Sequence, residues 1–153
     1  MLTNTPKIAS TVSLRSDAGL ASALRVSLAR LNRRLRKQAM DHSLTPTQLA
    51  TLAAVERHTA MSPGELAEHE KVQPPSMTRV IAKLEERGLL ARTPHPTDRR
   101  QVSISVTEAG TNLLKEERRL KEAWLAQRLK DLTPEERATL RSAAPILEKL
   151  STM

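Results

Sequence analysis

Hydrophobic positions along the chain repeat with a helical period over most of its length. Leu20, Leu24, Leu28, Leu31 and Leu35 recur at spacings of three and four residues, which places them in one stripe on a helix. Arg25, Arg30, Arg33, Arg34, Arg36 and Lys37 decorate the rest of that cylinder. Three later helix starts share one device: Thr45-Pro46-Thr47-Gln48, Ser62-Pro63-Gly64-Glu65 and Thr133-Pro134-Glu135-Glu136. Each sets a hydroxyl at the N-cap, proline at the first helical position and Glu or Gln at the third. The hydroxyl can accept from a main-chain N–H, the third side chain can reach back, and proline occupies a site whose N–H would have no partner. Helices are therefore predicted over 46–57, 63–70 and 134–150. Pro145 should kink or interrupt the last of these, because it removes a hydrogen bond and its ring clashes with the preceding turn.

Between these starts, Pro74-Pro75-Ser76 opens another helix in which Met77, Val80, Ile81 and Leu84 follow the i, i+3, i+4, i+7 rule, and Gly88 stands where a helix is expected to stop. Residues 89–93 suit a short strand. Residues 101–106 alternate, with Val102, Ile104 and Val106 expected on one face and Gln101, Ser103 and Ser105 on the other. The two strands form a hairpin whose tip, 94–100, carries two prolines and the run Asp98-Arg99-Arg100. Thr107 can cap a long helix over 108–130, with Leu113, Leu114, Leu120, Trp124, Leu125 and Leu129 on its apolar side. Residues 1–16 are polar, hold Pro6 and show no apolar period, as expected of a flexible arm.

This order predicts a mainly α fold with a small two- or three-stranded antiparallel wing, that is, a winged helix-turn-helix with a helical dimerisation region. The predicted organisation is an arm at 1–16, a dimerisation helix at 17–44, a DNA-binding module at 45–106 and C-terminal dimerisation helices at 107–153. In a helix-turn-helix the second helix buries one stripe on its scaffold and turns a polar stripe into the major groove. With Met77, Val80, Ile81 and Leu84 inward, the outward positions are Pro75, Thr78, Arg79 and Ala82, flanked by Ser76 and Lys83. Arg79 has the fork that binds guanine O6 and N7. Taken alone, such a helix is most often an ordinary amphipathic surface helix; the Arg-rich hairpin that follows favours DNA reading. The terminal Leu stripes, which the small module cannot cover, call for a second copy of the chain. The expected dimer positions are Leu20, Leu24, Leu28 and Leu31 at one end and Leu140, Ile146, Leu147 and Leu150 at the other.

Charge sharpens the choice of partner. The 153 residues carry a formal +8, which favours a polyanion. The excess is uneven: residues 1–44 hold 8 Lys or Arg against 2 Asp or Glu, whereas 45–106 hold 8 against 7. No cysteine is present, so thiolate metal sites, disulfides and cysteine redox switching are excluded. With no Phe or Tyr and Trp124 as the single aromatic of its class, the core must be aliphatic. A membrane-surface role would need a bulky apolar anchor beside the basic helix. A cytoplasmic protein without cofactor or resident metal is expected. His42, His58, His69 and His95 fall in no metal-ligand spacing, and no phosphate loop or nucleophile elbow is present, so no enzyme activity is expected. The alternative to a plain regulator is a metal sensor built on His42, His58, His69 and nearby Glu residues.

Over residues 20–150 the chain resembles the multiple antibiotic resistance regulator (MarR) family of winged-helix repressors. The resemblance is most specific at 76–90, Ser-Met-Thr-Arg-Val-Ile-Ala-Lys-Leu-Glu-Glu-Arg-Gly-Leu-Leu, and at 98–110, where Asp98-Arg99-Arg100 precedes an alternating strand and Val106-Thr107-Glu108-Ala109-Gly110. The second stretch is similar to the family's wing signature of Asp-x-Arg and Leu-Thr-x-x-Gly, with Val106 in place of Leu. The resemblance implies a homodimer bound to a near-palindromic operator on double-stranded DNA. It implies that Ser76, Thr78, Arg79 and Lys83 read or clamp the major groove, that Arg99 and Arg100 occupy the wing tip with Arg100 in the minor groove, and that Asp98 orients Arg100. It further implies release by a small ligand, often an aromatic or phenolic acid.

Overall fold

The computed structural model describes residues 14–38, 44–95, 98 and 100–153. The chain divides into two units, 1–38 and 39–153. In the first, α1 (Asp17–Arg36) begins at Ser16, whose side chain accepts from Gly19 N at 3.2 Å. Gly19 is its one buried residue, and Leu20, Leu28 and Leu31 remain well exposed.

The second unit runs α2 (Pro46–His58), α3 (Pro63–His69), α4 (Pro74–Glu86), β1 (Leu90–Pro94), β2 (Val102–Val106), α5 (Glu108–Lys130) and α6 (Pro134–Thr152). The expected capping boxes are present: Thr45 with Gln48, Ser62 with Glu65 and Thr133 with Glu136 each exchange both hydrogen bonds. One core joins five of these elements. Leu52 and Val55 of α2, Leu66 of α3, Met77, Ile81 and Leu84 of α4, and Ile104 of β2 are all fully buried, and Leu114 of α5 nearly so. Burial of such side chains at about 1.5–3 kcal/mol each holds the module together.

The sheet is a two-stranded antiparallel ribbon in which Leu90 faces Val106 and Pro94 faces Val102. Met61 and Ile104 add an isolated bridge through reciprocal main-chain bonds of 3.1 and 2.7 Å. The expected alternation along β2 fails at its outer end, where Val102 is exposed and Ser103 is buried. Only the inner half of the ribbon lies over the core, so Val102, paired with Pro94 at the far end, projects beyond the apolar surface that would cover it.

α4 ends in a hydrogen-bonded reversal. Gly88 takes φ +69°, its N–H donates to Glu85 O at 2.8 Å, and Leu89 N–H donates to Leu84 O at 2.9 Å. Glycine bears this left-handed conformation without a Cβ penalty. Thr107 then ties the start of α5 to the same point. Its hydroxyl accepts from Gly110 N at 3.1 Å and donates to Gly88 O at 2.6 Å, while its N–H donates to Leu89 O at 3.1 Å. At Gly110 the α5 backbone passes so close that an added Cβ would collide with Leu89 O and come within 2.7 Å of Val106 Cγ2.

α6 departs from the sequence expectation. It continues through Pro145 to Thr152. Proline removes one N–H there, and Arg141, whose carbonyl would have received it, is on an exposed turn where water can replace the bond. None of its residues is buried, and Leu140, Ile146 and Leu150 are 46, 61 and 57% exposed.

Gly110→Ala is expected to destabilise the protein by about 1–3 kcal/mol, the range for overpacking against a fixed neighbour. Gly64→Ala should be neutral or mildly stabilising, because a Cβ there meets only Ser62 Oγ at 4.0 Å and alanine favours helix. Thermal denaturation of the two variants side by side checks this contrast.

Candidate nucleic-acid interface

The α4 helix takes its orientation from its buried stripe. Met77, Ile81 and Leu84 are wholly buried and Val80 is half-buried, which turns Pro75, Ser76, Thr78, Arg79, Ala82 and Lys83 to the exposed side. Its N-terminus is unusual. Pro74 and Pro75 have no N–H, Gln73 supplies no side-chain cap, and the Ser76 and Met77 N–H groups donate back to Gln73 O at 2.9 and 3.0 Å. The first turn thus offers side chains rather than free amides to a ligand.

Each candidate side chain has a definite setting. Thr78 Oγ1 donates to Pro74 O at 3.0 Å, so its hydrogen is committed to the helix while its methyl and lone pairs face out. Lys83 Nζ lies 2.8 Å from Glu86 Oε2, with both side chains about two-thirds exposed. The ammonium holds the Glu86 carboxyl below the usual glutamate range. An exposed pair of this kind is worth little, so a phosphate can take over the lysine. Arg79 is exposed and, among the described residues, has no hydrogen-bond or ion-pair partner. It is the cation at the centre of the face.

The wing tip is closed by a short net of hydrogen bonds. His95 N–H donates to Gln101 O and Gln101 N–H to Asp98 O, both at 3.0 Å, and Asp98 N–H approaches His95 Nδ1 at 3.4 Å. Asp98 Oδ1 accepts from the Arg100 main-chain N–H at 3.0 Å. Asp98 therefore shapes the turn that presents Arg100, through the backbone rather than through a pairing with the guanidinium. Arg100 is exposed. Arg99 lies outside the described residues, so its expected place at the tip is not assigned.

Two ion pairs join separate elements of this unit. Arg92 Nε of β1 donates to both carboxylate oxygens of Glu85 in α4, at 2.8 and 2.9 Å, tying the ribbon to the C-terminal end of that helix. Arg118 of α5 donates to Glu56 of α2 at 2.7 and 3.3 Å. The hydrogen bonds from Arg118 hold the Glu56 carboxyl below its ordinary range, and Glu56 raises Arg118 in return. Periodicity marks faces of single elements, and these partners belong to different ones.

His58 and His69 do meet, in an edge contact of 5.1 Å between ring centroids, with His69 Nδ1 3.1 Å from Glu70 Oε1. His42 lies outside the described residues, and among those described no three His, Asp or Glu side chains gather as metal ligands. No helix of the described residues is long and apolar enough to cross a membrane.

Residues 44–102 match the model of the MarR family. Over 134 residues the chain is 48% identical to an HTH-type transcriptional regulator of Mycobacterium tuberculosis, covering 88% of this chain and 94% of the relative. It is 31% identical over 142 residues to the HTH-type transcriptional repressor MdtR of Bacillus subtilis, covering 90% of each. Among solved structures, a Pseudomonas aeruginosa protein superposes with a TM-score of 0.81 at 31% identity, over 90% of this chain and 96% of that one.

Replacing Glu56 with Gln is expected to lower stability by up to about 1 kcal/mol at neutral pH, since Arg118 is half exposed and solvent screens the pair. Glu56 ionises more readily in the folded state than in the unfolded one, so the stabilisation is present above the unfolded pKa and fades as pH falls through the folded one. Urea unfolding from pH 7 down to pH 3 should therefore show the two proteins converging at acid pH.

Proposed function

This chain belongs to the MarR family of DNA-binding transcriptional regulators, and we propose that it acts as a homodimeric repressor of a near-palindromic operator. The observation that carries the proposal is the exposed face of α4, where Ser76, Thr78, Arg79 and Lys83 stand opposite the buried Met77, Ile81 and Leu84. In the proposed complex this helix enters the major groove. Arg79 binds a guanine edge; Ser76, Thr78 and Lys83 contact neighbouring bases or phosphates. Arg100, with Arg99 beside it, enters the adjacent minor groove, and Asp98 sets the turn. Repression is the reading favoured by the similarity to MdtR, itself named a repressor.

The dimer is supported by apolar surface. Leu20, Leu28 and Leu31 of α1 and Leu140, Ile146 and Leu150 of α6 are 37–61% exposed in the single chain. In the proposed assembly they pack on their copies together with Leu24 and Leu147. Residues 45–106 then form the DNA-reading module and 17–44 and 107–153 the dimer region; most of the expected arm, residues 1–13, lies outside the described residues. A two-fold dimer presents two copies of α4 about one helical turn apart, roughly 34–36 Å. A cytoplasmic location follows from binding chromosomal DNA. Release by a small aromatic or phenolic acid is proposed on family membership alone.

The arginines should separate by role. On a duplex selected from a random pool, Arg79→Ala is expected to cost about 1–3 kcal/mol and relax preference at one position in each half-site. Arg100→Ala should weaken A·T-rich flanks most, with Asp98→Ala a milder version of it. Equal losses on every sequence for Arg79→Ala would contradict base reading. Sedimentation tests the dimer: the wild type should sediment as a dimer at micromolar concentration and melt at a temperature that rises with concentration. Leu24→Asp with Leu31→Asp should abolish folded protein rather than leave a stable monomer.

A further inference from the structure

The positive charge of this protein is concentrated where neither the reading helix nor the wing uses it. Arg30, Arg33, Arg34, Arg36 and Lys37 crowd the last two turns of α1 and all are exposed. The only acids in residues 1–44 are Asp17 and Asp41. Among the described residues none of these cations has an ion-pair partner.

The negative end of the helix dipole accounts for part of this, since cations in the final turn are favoured there. It does not account for Arg30, nor for the number of like charges placed side by side. Arg30 stands three and four residues from Arg33 and Arg34; Arg33 stands three and four from Arg36 and Lys37; Arg34 stands three from Lys37. Each such pair weakens an isolated helix. The cluster thus costs α1 stability that a bound polyanion would restore.

Its geometry suits a phosphate backbone. At about 100° per residue, Arg30, Arg33, Arg34 and Lys37 fall within an arc of about 100°, clear of the arc that holds Leu20, Leu24, Leu28, Leu31 and Leu35. From residue 30 to 37 the helix rises about 10 Å, a length over which one DNA strand presents about three phosphates. Most of the cluster is arginine, whose planar fork matches phosphate oxygens. An anionic membrane is the poorer fit, because α1 has no aromatic side chain to insert.

We propose that the Arg30, Arg33, Arg34 and Lys37 face of α1 is a second, sequence-independent contact to the phosphate backbone of duplex DNA. The proposal rests on the DNA-binding role given above. It divides the labour: α4 and the wing choose the site, and α1 adds affinity that salt removes.

The test uses the full chain carrying Arg30→Gln, Arg33→Gln and Arg34→Gln together, against the duplex that the wild type selects from a random pool. Each lost phosphate contact reduces the slope of log K against log salt by about 0.9, so the variant should show a slope shallower by about 2 or more. The ranking of operator variants should be unchanged, and the melting temperature equal or higher because repulsion in α1 is relieved. The matching Lys variant at all three positions should keep the wild-type slope. An unchanged slope in the Gln variant overturns the proposal, as does an altered ranking of operators. So does binding to phosphatidylserine vesicles that the Gln substitutions abolish while the DNA slope stays the same. If the wild type selects no duplex, the DNA-binding role itself fails. If Arg79→Ala relaxes specificity but the α1 variant behaves as wild type, only the α1 contact fails.

Discussion

The architecture depends on one close approach: the α5 backbone passes Leu89 at a distance that only glycine allows, at Gly110. Around that point, Gly88 reverses the chain after α4, the ribbon begins at Leu90, and Thr107 bonds to both Gly88 and Gly110. Three elements are thereby fastened at a single joint: α4, the two-stranded ribbon and the long helix α5. The Val106-Thr107-Glu108-Ala109-Gly110 segment is thus explained by contact rather than by local helix preference. Thr107 both caps α5 and closes the carbonyl of the preceding glycine, and a side chain at Gly110 would force these parts away from one another.

The two braces extend the same logic outward. Glu85 and Arg92 fix the ribbon against the C-terminal end of α4, and Glu56 and Arg118 fix α5 against α2. Neither pair is deeply buried, so each contributes direction more than stability. The stability comes from the aliphatic core, which has to be built without Phe or Tyr and is closed by Leu52, Leu66, Met77, Ile81, Leu84 and Ile104. On the solvent side of this rigid block stand Arg79 and Arg100, held on separate elements whose relation is set by the joint and the braces. In the proposed complex that arrangement lets base edges and groove shape be read at the same time.

Much of this was legible in the sequence because the signals were local. Hydroxyl-Pro-x-Glu/Gln placed three helix starts, Gly88 placed the end of α4, and the Met77, Ile81 and Leu84 spacing identified its buried side. The parts that were not legible depend on other elements. Strict alternation put Ser103 outside and Val102 inside β2, whereas the core reaches only the inner half of the ribbon. Pro145 promised a break in α6 that a continuous exposed helix does not show. The Glu85–Arg92 and Glu56–Arg118 pairs, and the main-chain target of Asp98, arise from tertiary neighbours that no periodicity encodes. The candidate interface was found from residue type and helix face together; either alone would have described an ordinary amphipathic helix.

The central claim is that two copies of α4 address successive major grooves while the wings address the minor groove. Chemical footprinting of the wild-type protein on a duplex selected from a random pool tests it most directly. The account predicts two major-groove patches, protected at guanine N7, with centres about 10–10.5 base pairs apart, and minor-groove protection on the neighbouring A·T-rich segments. A single unpaired patch, or protection confined to the minor groove with guanine N7 open throughout, would contradict it.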